Sequence, residues 1–383
     1  MRIGIDARGI LREEKRGGSY YAYNLIENLL KIDPNNQYIL FYNFIREWRR
    51  KRQAIKKFAF PNVTARVYRI PSQILSFSWK KLHFPSMDLM LGGVDVFHTP
   101  CVEEIIPIHS KWIVTIHHLA PLKYLHYDPL DKPLLPFYKE VYKKVSLVIV
   151  PSETTKRELM ESLNFSGNRI RVTPEATSSI FKPLQKEELP KAKEKLRDYG
   201  INERYILYVG GAYGNKNILR LIKAFGLLKE KTSGDYKLVL TGGMSFGYKE
   251  ILKQISREKL KESIIYTGYV PEETLVILYN QAEFFISPSL WEGFGLSPLE
   301  AMACATPVAL SRIPIFHELA GDSGLFFNPE DVEEMVEVMR KLLTDENLRR
   351  DLSKKAIERA RKFSWEKTAR QTLAVYKEVI EQK

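Results

Sequence analysis

Twice in this chain a short apolar run meets a glycine pair that opens a helix. Ile3-Gly4-Ile5 leads through a loop to Gly17-Gly18-Ser19, after which Tyr20 to Leu30 carries apolar residues at helical spacing and stops before Asp33-Pro34. Tyr205-Ile-Leu-Tyr-Val209 runs straight into Gly210-Gly211, and Ile218 to Lys231 then forms an amphipathic segment. A strand, a glycine turn and a helix make the opening of a parallel crossover unit, so each half predicts a helix-covered parallel sheet. At 383 residues, two such domains are the expectation. Glycine lets a ligand approach the backbone, and a helix that starts there offers unspent N–H groups and a positive dipole end to an anion. Taken alone, a glycine pair suits a flexible loop equally well.

Further strands are predicted at Tyr38–Phe44, Val94–Pro100, Trp112–His118, Val145–Val150, Lys237–Thr241, Ile264–Gly268 and Ala282–Ser287. Two of them end in histidine, at His98 and at His117-His118. In a parallel sheet the carboxyl ends of the strands face the ligand crevice. Pro174, Pro183 and Pro190, with a run of charges, mark a linker over residues 174–200. Near the end, Ser364 caps an amphipathic helix that starts at Trp365. Ile70 to Met90 reads as a long irregular loop.

Apolar residues at 44% and aromatics at 11% supply two ordinary cores, and no apolar run approaches the roughly 18 residues that span a bilayer. Met1-Arg-Ile-Gly-Ile-Asp6 has the pattern of a strand and not of a signal peptide. Cys101 and Cys304 have no metal-ligand spacing, and the chain reads as cytoplasmic without structural disulfides. The net charge of +13 is unevenly spread: residues 1–180 hold 27 Lys and Arg against 17 Asp and Glu, the rest 32 against 29. A basic first half predicts an anionic surface or acceptor meeting it. Its densest run is residues 46–57, with seven cations and one Glu. Such a run is either a solvated face or, with Trp48, Ile55 and Phe58 as its apolar side, an interfacial helix on anionic lipid. No recognition motif for nucleic acid accompanies it.

The richest stretch is Ser287 to Val308. A strand end at Pro288 is followed by Gly293 and Gly295, then by Ser297-Pro298-Leu299-Glu300, which predicts a helix with Ser297 as cap, Pro298 at its first position and Glu300 as the capping-box residue. Two carboxylates, Glu292 and Glu300, bracket this anion seat. A carboxylate beside a phosphate seat can accept two hydroxyl hydrogen bonds from a sugar without a metal. In the other glycine loop, Lys216 at the helix start offers a point charge to a diphosphate.

Pro288-Ser289, Glu292-Gly293-Phe294-Gly295, Pro298-Leu299-Glu300-Ala301-Met302-Ala303 and Thr306-Pro307-Val308 together resemble the retaining glycosyltransferases of family 4, whose nucleotide-sugar site carries Glu-x7-Glu; Ala305 stands where that family usually has Gly. Asp6-Ala7-Arg8 with the Gly17-Gly18 helix resembles a mannosyltransferase-containing subgroup. The resemblance implies the GT-B architecture, two doubly wound Rossmann-like parallel-sheet domains facing across a cleft. Residues 1–180 would form the acceptor-binding domain, residues 181–365 the donor domain, and residues 366–383 a helix crossing back to the first. It implies donor contacts from Gly17, Gly18, Gly210, Gly211, Asn215, Lys216, Tyr269, Ser289, Glu292, Gly293, Phe294, Gly295, Leu296 and Glu300. Glu292 would hold the transferred sugar, Glu300 the ribose, Lys216 the diphosphate, Tyr269 the side of the base, and His117 the sugar. Arg8, His98 and His118 would lie on the acceptor side. Asn215 stands where the family has Arg, and His118 where it has Asp.

The implied reaction is transfer of a hexose, with the subgroup leaning toward GDP-mannose, to a glycan or lipid-linked acceptor of cell-surface polysaccharide or lipopolysaccharide. The leaving phosphate oxygen would take the acceptor proton on the same face, so configuration is retained. No Asp-x-Asp pair occurs, so neither metal nor cofactor is expected. A peripheral position on the inner membrane face through residues 46–57 goes with a lipid-linked acceptor, and nucleic acid is not an expected partner. A UDP-sugar donor, a sugar-nucleotide epimerase, a non-catalytic sensor and a hydrolase using Glu292 and Glu300 are the competing readings; a hydrolase has no use for two phosphate-seeking loops.

Overall fold

A computed structural model describes the chain except for residues 12–16, 103, 120–133, 212–213, 233, 244–246 and 383, and the side chains of 134 and 135. Part of the second glycine loop, at 212–213, and the last residue of the expected terminal helix therefore lie outside the described residues. The chain divides into two compact units, one made of the described residues of Met1–Leu119, Lys132–Glu175 and Ser364–Lys383, the other containing Ala176–Phe363.

The first unit runs β1 (Arg2–Asp6), α1 (Gly18–Ile32), β2 (Gln37–Asn43), α2 (Trp48–Lys56), β3 (Val63–Tyr68), α3 (Ser72–Lys81), α4 (Met87–Leu91), β4 (Val96–Thr99), β5 (Lys111–Thr115), α5 (Leu134–Lys144), β6 (Leu147–Val150), α6 (Glu153–Leu163) and β7 (Ile170–Val172). The second runs α7 (Leu189–Arg197), β8 (Arg204–Val209), α8 (Ile218–Lys231), β9 (Tyr236–Thr241), α9 (Tyr248–Arg257), β10 (Ile264–Gly268) and α10 (Glu272–Gln281). It continues with β11 (Phe284–Ser287), α11 (Leu296–Ala303), β12 (Val308–Ser311), α12 (Pro314–Ala320), β13 (Gly324–Phe327), α13 (Val332–Thr344) and α14 (Glu346–Ala360). The last helix, α15 (Trp365–Glu381), belongs to the first unit.

Both sheets are parallel, in the orders β3-β2-β1-β4-β5-β6-β7 and β10-β9-β8-β11-β12-β13. These are doubly wound, Rossmann-like domains. In each, the order reverses at the strand that feeds the glycine loop, β1 beside β4 and β8 beside β11, and the carboxyl ends at such a reversal leave a crevice. Helices on both faces bury the strands, which explains their continuous apolar runs. Along β8, Tyr205 and Leu207 pack into one core and Ile206 and Tyr208 into the other.

α15 starts at the cap that the sequence predicts and is held by distant partners. Ser364 accepts a hydrogen bond from the Lys367 N–H at 3.2 Å, Trp365 meets Tyr20 and Tyr21 edge-on, and Arg171 pairs with Glu378.

Three local expectations need correction. Residues 70–90 are not an irregular loop: α3 and α4 occupy most of the segment. Leu75 and Trp79, one helical turn apart, are buried, whereas Ile74, Phe77, Leu82 and Phe84 are exposed, and these outward apolar residues hide the period. The expected apolar side of α2 is largely covered, with Ile55 half-buried. Phe58 is buried against Tyr23, and Trp48 lies between Phe44 and the Arg69 guanidinium, so its outer surface is cationic. Finally, α11 starts at Leu296 with Gly295 at its cap, so Ser297 is not the cap and Glu300 not a capping-box residue. Among the described residues no helix is long and apolar enough to cross a membrane.

Candidate active site

The second unit brings the two glycine-associated loops together through hydrogen bonds between their backbones and side chains. After β8 a single tight turn, Gly214–Lys216, leads into α8. Asn215 is buried, donates to the Trp291 carbonyl at 3.2 Å and, through its own carbonyl, accepts from the Leu290 N–H at 2.7 Å. Asn217 takes a left-handed backbone and donates to the Pro288 and Pro329 carbonyls at 3.0 and 2.7 Å. The two asparagines thus bind the β8–α8 loop to the β11–α11 loop. The Asn215 amide nitrogen serves this staple, which the sequence does not reveal, while its Oδ1 is buried with no hydrogen-bond partner among the described residues.

Held between the loops is a compact polar cluster. Lys216 Nζ donates to Glu292 Oε1 at 2.5 Å, and the buried Ser289 hydroxyl donates to the same oxygen at 2.7 Å. Both ions are mostly covered, at 23% and 16% exposure. A cation suited to a phosphate and a carboxylate suited to sugar hydroxyls therefore neutralise each other. Immediately beyond stands the N-terminus of α11. Gly295 reaches it with φ +100°, and a side chain there would press on Leu319 and Phe316 at 3.1 Å. The first-turn N–H groups at Leu296 and Ser297 have no carbonyl of their own helix to bond. The Phe294 side chain is buried in the core and meets Phe363 edge-on.

Glu300 faces inward from α11 to the Tyr279 hydroxyl, which donates to its Oε2 at 2.9 Å. Burial pushes its carboxyl up to about 8; the Tyr279 hydrogen bond opposes this and the charge of Glu272 adds to it. At the end of β8, the Tyr208 hydroxyl donates to the Gly211 carbonyl and fills the space beside Gly210. Tyr269, just past β10, is 57% exposed.

In the first unit Gly17 caps α1 with a left-handed φ of +49°. Gly18 is required by packing, since a methyl there would sit 2.6 Å from Cys101 Sγ. His117, just past β5, packs against Tyr21 and is held by Glu175 Oε1 at Nδ1 and by the Pro100 carbonyl at Nε2, both at 2.8 Å. Glu175, 5% exposed just past β7, was not singled out by sequence, which read Pro174 beside it as the start of a linker; its position beyond the carboxyl end of a parallel strand is the available signal. His98 does not face a crevice. It is fully buried, bonded to the Tyr376 hydroxyl at 2.7 Å and to Thr115 at 2.8 Å, and burial lowers its pKa to about 3, so it is a neutral core residue. His118 is half-buried behind β5. Arg8 is gripped by Asp6 at 2.7 Å and Glu104 at 2.6 Å; burial alone would lower its pKa, but the two carboxylates raise it. Among the described residues no group of His, Cys, Asp or Glu side chains could hold a metal ion.

Residues 191–359 match the family described as Glycosyl transferases group 1, and residues 16–177 match Glycosyltransferase Family 4. O-antigen chain mannosyltransferase B of Escherichia coli is 32% identical over 272 residues, 70% of each chain. This chain is a family 4 glycosyltransferase. Another relative of this glycosyltransferase, the serotype-specific mannosyltransferase WbdA of Escherichia coli, is 32% identical over 273 residues, which are 68% of this chain but only 32% of that protein. The chain therefore spans about a third of WbdA. Sucrose-phosphate synthase from Thermosynechococcus elongatus shares the fold with a TM-score of 0.76 at 22% identity, covering 100% of this glycosyltransferase and 99% of that chain. The fold class is GT-B.

Proposed function

We propose that this glycosyltransferase moves mannose from GDP-mannose to a glycan or lipid-linked glycan of cell-surface polysaccharide, with retention of configuration and without a metal. The observation that carries the proposal is the Lys216–Glu292–Ser289 cluster at the start of α11. A diphosphate leaving group gathers negative charge as the anomeric bond breaks, and a preorganised ammonium with a helix N-terminus stabilises that charge where it develops. Glu292 accepts hydroxyls of the transferred hexose, Glu300 those of the ribose, and Tyr269 covers the base. His117 is assigned to the transferred sugar. The leaving phosphate oxygen takes the acceptor proton on the face it departs from, so the new bond forms with the old configuration. Mannose is favoured by the names of the O-antigen relatives. The cationic surface of α2, with Arg49, Arg52 and Lys56 exposed, supports electrostatic contact with an anionic membrane face.

Thermal stabilisation by nucleotides and nucleotide sugars, with and without chelator, tests the donor. A ligand at about 100 times its Kd adds about 2.7 kcal/mol. GDP and GDP-mannose should shift the melting point and the UDP forms should not, with no effect of chelator. A shift by UDP-sugars alone would discard mannose. Anomeric NMR of the product then reads retention or inversion.

A further inference from the structure

We propose that the acceptor pocket of the first unit is the cavity between β1, β2 and α3, and that it is built for an uncharged sugar ring, not a phosphorylated acceptor. The proposal rests on the reading of this protein as a transferase to a glycan. The cavity measures about 700 Å³, within the range of small-molecule sites. One wall is a face of α3. Ser72, Gln73, Ser76, Phe77 and Lys80 recur at helical spacing and line it, while Leu75 and Trp79 from the opposite side of the same helix anchor it in the core. Hydroxyl, amide and amine groups alternate there with one aromatic ring. Phe77 is 60% exposed although it lines a cavity, an uncovered platform suited to the apolar face of a pyranose.

The floor decides the charge of the occupant. Arg8 is its half-buried cation, and it is spoken for: Asp6 takes Nε and Nη2, Glu104 takes Nη1, and the guanidinium lies over the rings of Phe41 and Trp79 at 5.4 and 5.5 Å. A phosphate entering the cavity would meet Asp6 and Glu104 with Lys80, exposed on the rim, to offset them. Sugar hydroxyls meet the same floor as donors, because a carboxylate has several lone-pair sites and Glu104 spends one oxygen on Arg8 among the described residues. Arg8 therefore acts by holding the two carboxylates in place, not by gripping an anion.

Ligand-observed saturation-transfer NMR on the full chain tests this, with methyl α-mannoside, α-linked mannobiose, methyl α-galactoside and mannose 6-phosphate as probes at millimolar concentration. At least one neutral glycoside should be saturated, and mannose 6-phosphate should bind more weakly than methyl α-mannoside. Phe77→Ala should weaken the neutral probe by about tenfold, the scale of a lost aromatic contact, and Phe77→Trp should retain it. Because Phe77 is a surface residue of the first unit, nucleotide-induced stabilisation should be unchanged in both variants. No saturation by any neutral probe, equal binding in Phe77→Ala, or tighter binding of mannose 6-phosphate would each overturn the assignment. Loss of nucleotide stabilisation in the wild type would instead overturn the donor reading and leave the sugar result standing.

Discussion

Replacing Glu300 by Gln should make the protein more stable as pH rises while depriving it of nucleotide. In the unfolded chain a Glu ionises near 4.5, whereas in the fold burial raises the Glu300 carboxyl to about 8. A group whose folded pKa is raised favours the folded state most strongly below the unfolded pKa. That contribution fades as pH climbs, because the unfolded chain sheds a proton that the fold retains. It is gone above the folded pKa. Each pH unit well inside the window costs about 1.4 kcal/mol and less near its ends, so pH 5 to pH 8 spans about 3.5 kcal/mol. Gln keeps the shape and can still accept from the Tyr279 hydroxyl, but it cannot ionise. For a domain of this size about 2–4 °C accompanies each kcal/mol, so the melting-point advantage of Glu300→Gln should grow by roughly 7–14 °C across that window. The assay is thermal denaturation of both proteins over a pH series. A difference that stays constant with pH refutes the buried-carboxyl argument. Nucleotide titrations at the same pH values supply the second half. On the proposed reading ribose hydroxyls donate to the ionised carboxylate, so wild-type affinity should rise by up to about tenfold per unit as pH approaches 8. The variant should bind weakly and without that slope.

Gly18→Ala should destabilise the first unit by about 1–3 kcal/mol through the clash with Cys101, and adding Cys101→Ala should restore most of it in urea denaturation. His117→Ala leaves the buried Glu175 carboxylate without its imidazole and should cost about 3 kcal/mol or more; Glu175→Gln in the same chain should recover much of that, a coupling read by a double-mutant cycle. Glu292→Gln frees Lys216 from its carboxylate, so calorimetry should find GDP bound at least as tightly while transfer is abolished. Weaker GDP binding in that variant would contradict the pairing.

The alternating architecture was readable because its signals are local. Apolar runs such as Val145–Val150, the glycine turns, and the Ser364 cap each state their own structure within a few residues. Where sequence reading failed, a distant partner decides. His98 has the position of a crevice residue in the strand pattern, but Tyr376 on the last helix, 278 residues away, completes its hydrogen bonds and buries it. Asn215 looks like a ligand group of a glycine loop, yet its amide nitrogen goes to the Trp291 carbonyl, 76 residues away. The start of α11 was misplaced by two residues because Ser297-Pro298 is a good local cap signal, yet Gly295 can take φ +100° and start the helix earlier. Lys216 and Glu292 were each legible as polar residues beside a glycine loop. Their mutual pairing was not, since 76 residues separate them.

That pairing has a consequence for how a donor enters and leaves. An unpaired ammonium and an unpaired carboxylate in a half-buried site would each carry a desolvation cost, and together they cancel it. A ligand with a diphosphate alone takes Lys216 and leaves Glu292 with only the Ser289 hydroxyl. A free sugar does the reverse, because occupying Glu292 leaves Lys216 without its carboxylate. On the proposed reading, a nucleotide sugar offers phosphate oxygens and sugar hydroxyls on one molecule, so it alone compensates both ions at once. Once the sugar has moved to the acceptor, the nucleotide diphosphate left behind must compete with Glu292 for the same ammonium. The charge pair that keeps the empty site intact would thus favour the intact donor over the spent one, and it would help to expel the product without any moving part beyond the Lys216 side chain.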